Sequence, residues 1–145
     1  MFEILRNKIK DKLATISEIQ EVQDYPTLEF GGFPVAVIKS TRNESSFETT
    51  KENLRVYVFT VYIMQDIASQ GMKKARGIVE ATVDSILDAF DKDQNLEAVG
   101  LQTALPADKT VMKSQPLMTD IGTTDDEKFA VAKLDIKVSI SINIT

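Results

Sequence analysis

The sequence predicts an α+β protein: a mostly antiparallel β-sheet with one long amphipathic helix packed on it and a further helix at the N-terminus. Three patterns indicate this class. Apolar residues recur at helical spacing at the N-terminus and again over about residues 69–90, a β-branched and aromatic run covers residues 54–64, and apolar and polar residues alternate over residues 129–145. With 145 residues, the chain fits a single domain, 1–145.

The first helix is predicted within residues 1–20, from about residue 2 to residue 19. Its apolar positions follow spacings of three and four and form one stripe. They are Phe2, Leu5, Ile9, Leu13 and Ile16. The basic residues Arg6, Lys8, Lys10 and Lys12 line the other side, which is typical of a solvated face on a helix that packs over a sheet. A contact surface for an acidic partner is the alternative interpretation.

Residues 20–24 form a polar link, and the prolines and paired glycines of residues 25–34 predict turns. A short strand should follow over residues 35–38. The polar stretch 40–53 is too long for a tight turn, so we expect a projecting loop, either a flexible finger or an extended hairpin. Two interpretations of this stretch remain open: an ordinary surface loop, or an arm that becomes ordered only when it binds a partner. Its candidate contact residues are Arg42, Glu44, Phe47, Glu48 and Lys51.

The run 54–64 is apolar at both odd and even positions, which predicts a central strand. A second helix is predicted from about Ser69 or Gly71 to Phe90, with Ser69 as a plausible N-cap. Asp91-x-Asp93-x-Asn95 begins like a calcium-binding loop. Its sixth and twelfth positions are Leu96 and Gln102 instead of glycine and glutamate, so we expect no calcium site.

The remaining chain is predicted as a strand over residues 96–102, an irregular loop over residues 106–128 and a long C-terminal strand over residues 129–145. Part of the irregular loop, which contains apolar pieces, could pair as strand. The acidic run Asp125, Asp126 and Glu127 lies in the irregular loop, where a solvated charge cluster is the usual explanation. The last strand would span roughly 50 Å, more than a compact domain of this size. It should therefore bend, bulge or reach a neighbouring subunit, which would also cover its edge.

The composition removes most enzyme classes. The chain has no cysteine and no histidine, which excludes thiol nucleophiles, histidine-based triads and zinc sites built on these residues. No remaining motif predicts catalysis, so we expect a protein that is not an enzyme and needs no cofactor or metal. The net charge of -5 argues against specific nucleic-acid binding. The first residues lack the apolar core of a secretory signal, so we expect neither secretion nor membrane association.

The order of elements resembles a known family: the tail terminator and neck (head–tail joining) proteins of long-tailed bacteriophages. The resemblance rests on two stretches together with the order helix, short strand, polar projection, central strand, helix and antiparallel strands. They are Ser-Phe-Glu-Thr-Thr-Lys-Glu-Asn-Leu-Arg-Val-Tyr-Val-Phe-Thr-Val-Tyr-Ile over residues 46–63 and Ile-Val-Glu-Ala-Thr-Val-Asp-Ser-Ile-Leu-Asp-Ala-Phe over residues 78–90. No functional residue is carried over by position.

The resemblance implies a structural virion protein that assembles in the host cytoplasm as a hexameric ring. Such a ring caps the tail tube, joins the tail to the head connector and lets DNA pass through its lumen. Six acidic copies would place about 30 negative charges around that channel, so DNA would slide without specific binding. We expect stretches 40–53 and 106–128 to contact adjacent rings and the terminal strand to contact other subunits. Alternatives are another neck ring (head completion or stopper), a tail-tube protein, a non-viral adaptor domain, or a hydrolase that uses only carboxylates.

Overall fold

The computed structural model describes residues 1–25, 29–47 and 52–143. Three α-helices and five strands make up this part of the chain, and a single 3-10 turn spans Glu97–Val99. The helices are α1 (Phe2–Ala14), α2 (Met72–Asp91) and α3 (Leu101–Ala104), and the strands are β1 (Glu21–Gln23), β2 (Val35–Phe47), β3 (Glu52–Asp66), β4 (Lys109–Thr123) and β5 (Phe129–Asn143). None of the helices in these ranges is long and apolar enough to cross a membrane.

The five strands form one sheet in the order β1-β2-β3-β5-β4. All neighbouring pairs are antiparallel except β1 and β2. The predicted α+β class and the central position of β3 are confirmed. The ladder between β3 and β5 is unbroken, from the pair Glu52 and Asn143 to the pair Asp66 and Phe129.

The two faces of the sheet differ sharply. Every second residue of β5 points to the helices and is buried: Ala130, Ala132, Leu134, Ile136, Val138, Ile140 and Ile142. These side chains share one core cluster with the buried residues of α1 and α2. The alternate residues, such as Lys133, Asp135 and Lys137, are only half-buried on the other face. The predicted alternation of the last strand is therefore confirmed up to Asn143.

The central strand keeps an apolar residue on the face away from the helices. Val58 is fully buried there. The register places it between Arg42 and Lys137, and long basic side chains cover apolar neighbours with their aliphatic stems. Val58 does not belong to the hydrophobic core cluster of the described residues, which packs the helices against the other face of the sheet.

The first helix ends earlier than the sequence predicts. α1 stops at Ala14, and the Thr15 hydroxyl donates to the Lys12 carbonyl oxygen at 2.6 Å. Ile16 and Ile19 are still buried, but they belong to turns after the helix. A threonine that binds a backbone carbonyl competes with helix continuation, which explains the difference.

The second helix lies where it was predicted, and it begins directly after Gly71, one of its two predicted starts. Gly71 occupies the N-cap position at φ 78°, a conformation that glycine adopts without strain. The predicted cap, Ser69, instead donates its hydroxyl to Asp66 Oδ1 at 2.7 Å. Ser69 therefore stabilises the turn between β3 and α2.

The predicted irregular loop over residues 106–128 is wrong. Most of it is the 15-residue strand β4, which pairs with β5 along its length. Register shifts after Val111 and after Met118 mark two bulges. Each bulge moves the next side chain to the other face, so the sequence shows no regular alternation.

Two other stretches were predicted only in part. Strand β2 continues past residue 38 to Phe47, with a bulge between Ser40 and Arg42. The described part of the predicted loop 40–53 therefore forms an extended hairpin of β2 and β3, which was one of its two predicted forms. The predicted link 20–24 contains β1, which adds parallel to the start of β2. A three-residue strand carries too little periodicity to be recognised in the sequence.

The predicted strand over residues 96–102 is wrong. Leu96 and Gly100 have φ values of 53° and 72°, and the chain between them forms the 3-10 turn. The Asp93 carboxylate accepts hydrogen bonds from the backbone N–H of Glu97 at 2.9 Å and of Ala98 at 3.3 Å. This side chain therefore holds the helical turns that sequence periodicity did not reveal.

Asp93 also links this turn to the N-terminal helix. Lys12 Nζ lies 3.0 Å from Asp93 Oδ2, and the two side chains are only 10% and 15% exposed. Burial by itself raises the pKa of Asp93, but the hydrogen bond from Lys12, the N–H groups of Ala98 and Glu97 and the charge of Lys12 together lower it below its ordinary value. Folding is therefore linked to the ionised form.

Replacing Ile136 by alanine tests the helix-facing side of β5. Ile136→Ala removes a fully buried side chain, so we expect the free energy of unfolding to fall by about 3 kcal/mol in urea titrations. Lys137→Ala, on the other face of the same strand, is the control and should change it by less than about 1 kcal/mol. Equal losses for the two variants would contradict the assignment of the faces.

Replacing Asp93 by alanine tests the contact with Lys12. Asp93→Ala leaves Lys12 unpaired and removes the acceptor of two backbone N–H groups, so we expect a loss of about 2 kcal/mol at pH 7, measured by urea denaturation. The control is Asp91→Ala, at a nearby exposed position, which should change the free energy of unfolding much less. Because the pKa of Asp93 is lowered, its contribution is present above the ordinary aspartate range and is lost as the pH falls below about 4. The difference between wild type and Asp93→Ala should shrink there, and a constant difference would contradict the linkage.

Candidate interaction surfaces

The hairpin of β2 and β3 carries part of the predicted contact loop. Arg42 Nε donates to Glu44 Oε1 at 3.0 Å, and the two side chains are 45% and 51% exposed. They point to the same side of the sheet because they lie two residues apart in one strand. Phe47 ends β2, and its side chain lies outside the described part of the chain, as do Glu48 and Lys51. An ion pair this exposed contributes little to stability, which leaves it available for contacts.

The predicted acidic loop is the tight turn between β4 and β5. Asp126 Oδ1 accepts hydrogen bonds from the Thr124 hydroxyl at 2.6 Å and from the backbone N–H of Lys128 at 3.1 Å. The Thr124 hydroxyl, followed by the Lys128 N–H, lowers the pKa of Asp126. Asp125 and Glu127 are exposed, and Glu127 adopts a left-handed conformation at φ 57°. Asp126 therefore organises the turn, and the three carboxylates do not converge on a metal site; no such group occurs in the described residues.

The described residues of the predicted contact loop and the acidic turn lie on different parts of the sheet. Asp66 pairs with Phe129 at the end of the β3–β5 ladder next to the β4–β5 turn. Arg42 and Glu44 pair with Val58 and Val56, nearer the middle of the ladder. At about 3.3 Å per residue they lie roughly 25–35 Å from the Asp66 end, so the two features occupy separate parts of the surface.

The last strand was expected to have a free edge that a neighbouring subunit would cover, but it lies inside the sheet. β5 pairs with β3 on one side and with β4 on the other, so its edge is not available to another subunit. The long outer strand is β4 instead. Met112 and Leu117 on β4 are each 56% exposed, and its bulges and Pro116 interrupt the regular edge. Such interruptions limit uncontrolled strand pairing.

The outer surface of α2 was missed by the sequence analysis. Exposed basic residues occupy its first turns and exposed acidic residues its later turns. They are Lys73, Lys74 and Arg76, and then Glu80, Asp84, Asp88 and Asp91. The sequence alone shows that the basic residues precede the acidic ones. Only the bounds of α2 show that the basic residues lie at its N-terminal end and the acidic residues toward its C-terminal end.

Two parts of this surface also contain exposed apolar groups. At the start of α2, the patch that we call the basic end comprises Met72, Lys73, Arg76 and Gly77, and Glu80 borders it. Farther along, a groove between α2 and β4 is lined by Glu80, Asp84, Leu87, Met118 and Ile121, and we call it the acidic groove. Met72 is 44% exposed and Met118 is 40% exposed.

Comparison with solved structures shows a clear likeness in fold. No family model matches the chain, and no curated protein matches it. The fold is similar to that of a solved chain described as "Virion of native gene transfer agent (GTA) particle", with a TM-score of 0.60 and 12% sequence identity. The match covers 94% of this chain and 94% of that chain. At this identity the match establishes a shared fold over nearly the whole length.

The Thr124 hydroxyl offers a direct test of the β4–β5 turn. Its hydrogen bond is the main cause of the lowered pKa of Asp126, so Thr124→Val should raise that pKa toward the ordinary aspartate value. Carbon-detected NMR titration of the Asp126 carboxyl group measures the shift. Thr123→Val, at the adjacent exposed position, is the control. An unchanged titration midpoint in Thr124→Val would contradict the described turn.

Proposed function

We propose that this protein is a structural component of a phage-like virion. The observation that carries the proposal is the shared fold with a virion chain over 94% of both chains. A match of that extent leaves only a small part of either chain unmatched, so the likeness is one of overall architecture. Because fold alone does not determine function, the surfaces of this chain must support the role as well.

Within the virion, we propose the role of a tail terminator. It would form a hexameric ring that caps the tail tube and joins the tail to the head connector. Such a ring needs two contact regions facing different neighbours. Arg42 and Glu44 on the β2–β3 hairpin lie roughly 25–35 Å along the sheet from the β4–β5 turn with Asp125 and Glu127, and this separation suits the requirement.

The proposed partners are other copies of this chain, the tail-tube protein and a head-connector or stopper protein. Head-to-tail contacts between identical subunits close into rings when the rotation between neighbours is suitable. A net charge of -5 for each chain supports passage of DNA through the ring without specific binding.

Three alternatives share part of this support. Another neck ring, such as a head-completion or stopper protein, and a tail-tube protein would both place this fold in a virion. The interrupted β4 edge favours a ring of limited contacts over a tube subunit that must stack along a whole tail. A non-viral adaptor domain would use the same exposed surfaces outside any particle.

Labelling of purified particles with a gold-conjugated antibody against this chain tests the proposal. A terminator predicts label at one position, the junction of head and tail. Label along the whole tail would indicate a tube protein. Particles that contain no copy of this chain by mass spectrometry would contradict a virion role.

Loss of the chain separates the terminator from the other neck rings. Without a terminator, tails should continue to grow, so electron micrographs should show tails of variable length and no joined heads. With a stopper absent, tails should keep a constant length. Constant tail length in the deletion strain would therefore contradict the terminator assignment, and a plasmid copy of the wild-type chain is the control.

A further inference from the structure

We infer that the basic end of α2 in one copy of this chain binds the acidic groove between α2 and β4 in a second copy. In the ring of the proposed function, on which this inference rests, the contact would repeat between neighbouring subunits. The proposed partner is thus a second copy of the chain. Opposite charges and apolar groups on both surfaces would favour the contact.

The charges on α2 oppose its own dipole. The N-terminal end of a helix carries partial positive charge and the C-terminal end partial negative charge, so acidic residues favour the start and basic residues the end. In α2 the first turn has no acidic residue and contains Lys73 and Lys74, whereas the last turn has no basic residue and contains Asp88 and Asp91. Lys92, at the C-cap, offsets part of this opposition. The remaining charges are unfavourable within the isolated chain, and an intermolecular contact would relieve them.

Gly77 supports the same conclusion independently. It lies inside α2 on the exposed surface, where glycine is less favourable than other residues. No atom lies within 4 Å of the position that a Cβ would take, so nothing within the described chain requires a glycine there. Its absent side chain would let a neighbouring surface approach the helix closely.

The two patches complement each other in apolar surface as well as in charge. At the basic end, the exposed Met72 stands beside Lys73 and Arg76. In the acidic groove, Leu87, Met118 and Ile121 form an apolar floor next to Glu80 and Asp84. A flexible methionine side chain adapts well to such a groove, and the surrounding charges would fix its orientation.

A second copy is the occupant that this arrangement fits. Lys73 and Asp84 lie about 17 Å apart along one helix, too far for a direct ion pair within the chain. Arg76 and Glu80 lie one turn apart, but no ion pair joins them in the described residues. Each copy therefore offers one patch of each kind, and two copies can join without a further component. A contact of this type links different surfaces of the two copies, as a ring requires.

Charge reversal tests the contact. The first variant, Lys73→Glu with Arg76→Glu, makes both patches acidic, and the second, Glu80→Lys with Asp84→Lys, makes both basic. We expect each variant alone to associate at least ten-fold more weakly than wild type in sedimentation and light-scattering measurements. An equal mixture of the two, and the variant with all four changes, should regain association because opposite charges face each other again.

The matched control is Glu3→Lys with Asp11→Lys, which reverses two exposed acidic residues on α1 and should leave association unchanged. Circular dichroism confirms that each variant folds. If the first two variants associate as well as wild type, or if the mixture does not regain association, the contact is overturned. A wild-type chain that stays monomeric at all concentrations also overturns it.

Gly77→Gln separates assembly from folding. Glutamine has a higher helix propensity and meets no neighbouring atom, so the thermal midpoint of the monomer should rise while association falls. Asn7→Gln, at an exposed position of α1, is the control for both measurements. Unchanged association of Gly77→Gln would contradict a close approach at this residue.

The outcomes also distinguish this inference from the proposed function. Rings that persist in the charge-reversal variants would overturn the α2 contact and leave the ring proposal intact. A different result would be a wild-type dimer that dissociates in each charge-reversal variant and forms again in their mixture. That result would support the α2 contact and contradict the ring.

Discussion

The unbroken register between β3 and β5 is the constraint on which the rest of the structure depends. Its 15 residue pairs place seven apolar side chains of β5 toward the helices and the charged side chains of Lys133, Asp135 and Lys137 on the opposite face. A slip of one residue would exchange the two faces and bring these charges into the core. The helices pack on the apolar face, and β2 and β4 extend the sheet on either side of β3 and β5. The Lys12–Asp93 ion pair connects α1 to the turn after α2.

This arrangement determines which surfaces are available for assembly. Since α1 and α2 pack on one face, the outer side of α2, the β4 edge and both ends of the sheet remain exposed. The ends lie roughly 50 Å apart, and the outer side of α2 separates opposite charges along one helix. A subunit of a ring within a larger particle would need contacts above, below and beside it, and these separate exposed surfaces suit that proposal. The shared fold with a chain of a gene transfer agent virion agrees with that proposal.

The sequence predicted the elements whose periodicity is long and uninterrupted, namely α2, β3 and β5. It did not predict β4, because two bulges shift its alternation and leave Met112, Leu117 and Met118 exposed. It assigned a strand to residues 96–102, where Asp93 and the left-handed Leu96 and Gly100 instead produce helical turns. These are effects of side-chain hydrogen bonds and backbone conformation, which hydrophobic patterns do not encode. Of the predicted contact residues, Arg42 and Glu44 are exposed and paired, whereas Asp126 has a structural role in its turn. The separated charges of α2 are visible in the sequence, but their opposition to the dipole follows only from the helix bounds.

The central claim is that this fold serves as a closed ring in a virion, and native mass spectrometry of the wild-type chain tests it most directly. A ring predicts one dominant assembly at six times the monomer mass, with no larger species as the concentration rises. An open series of increasing masses, or a monomer at every concentration, would contradict the claim.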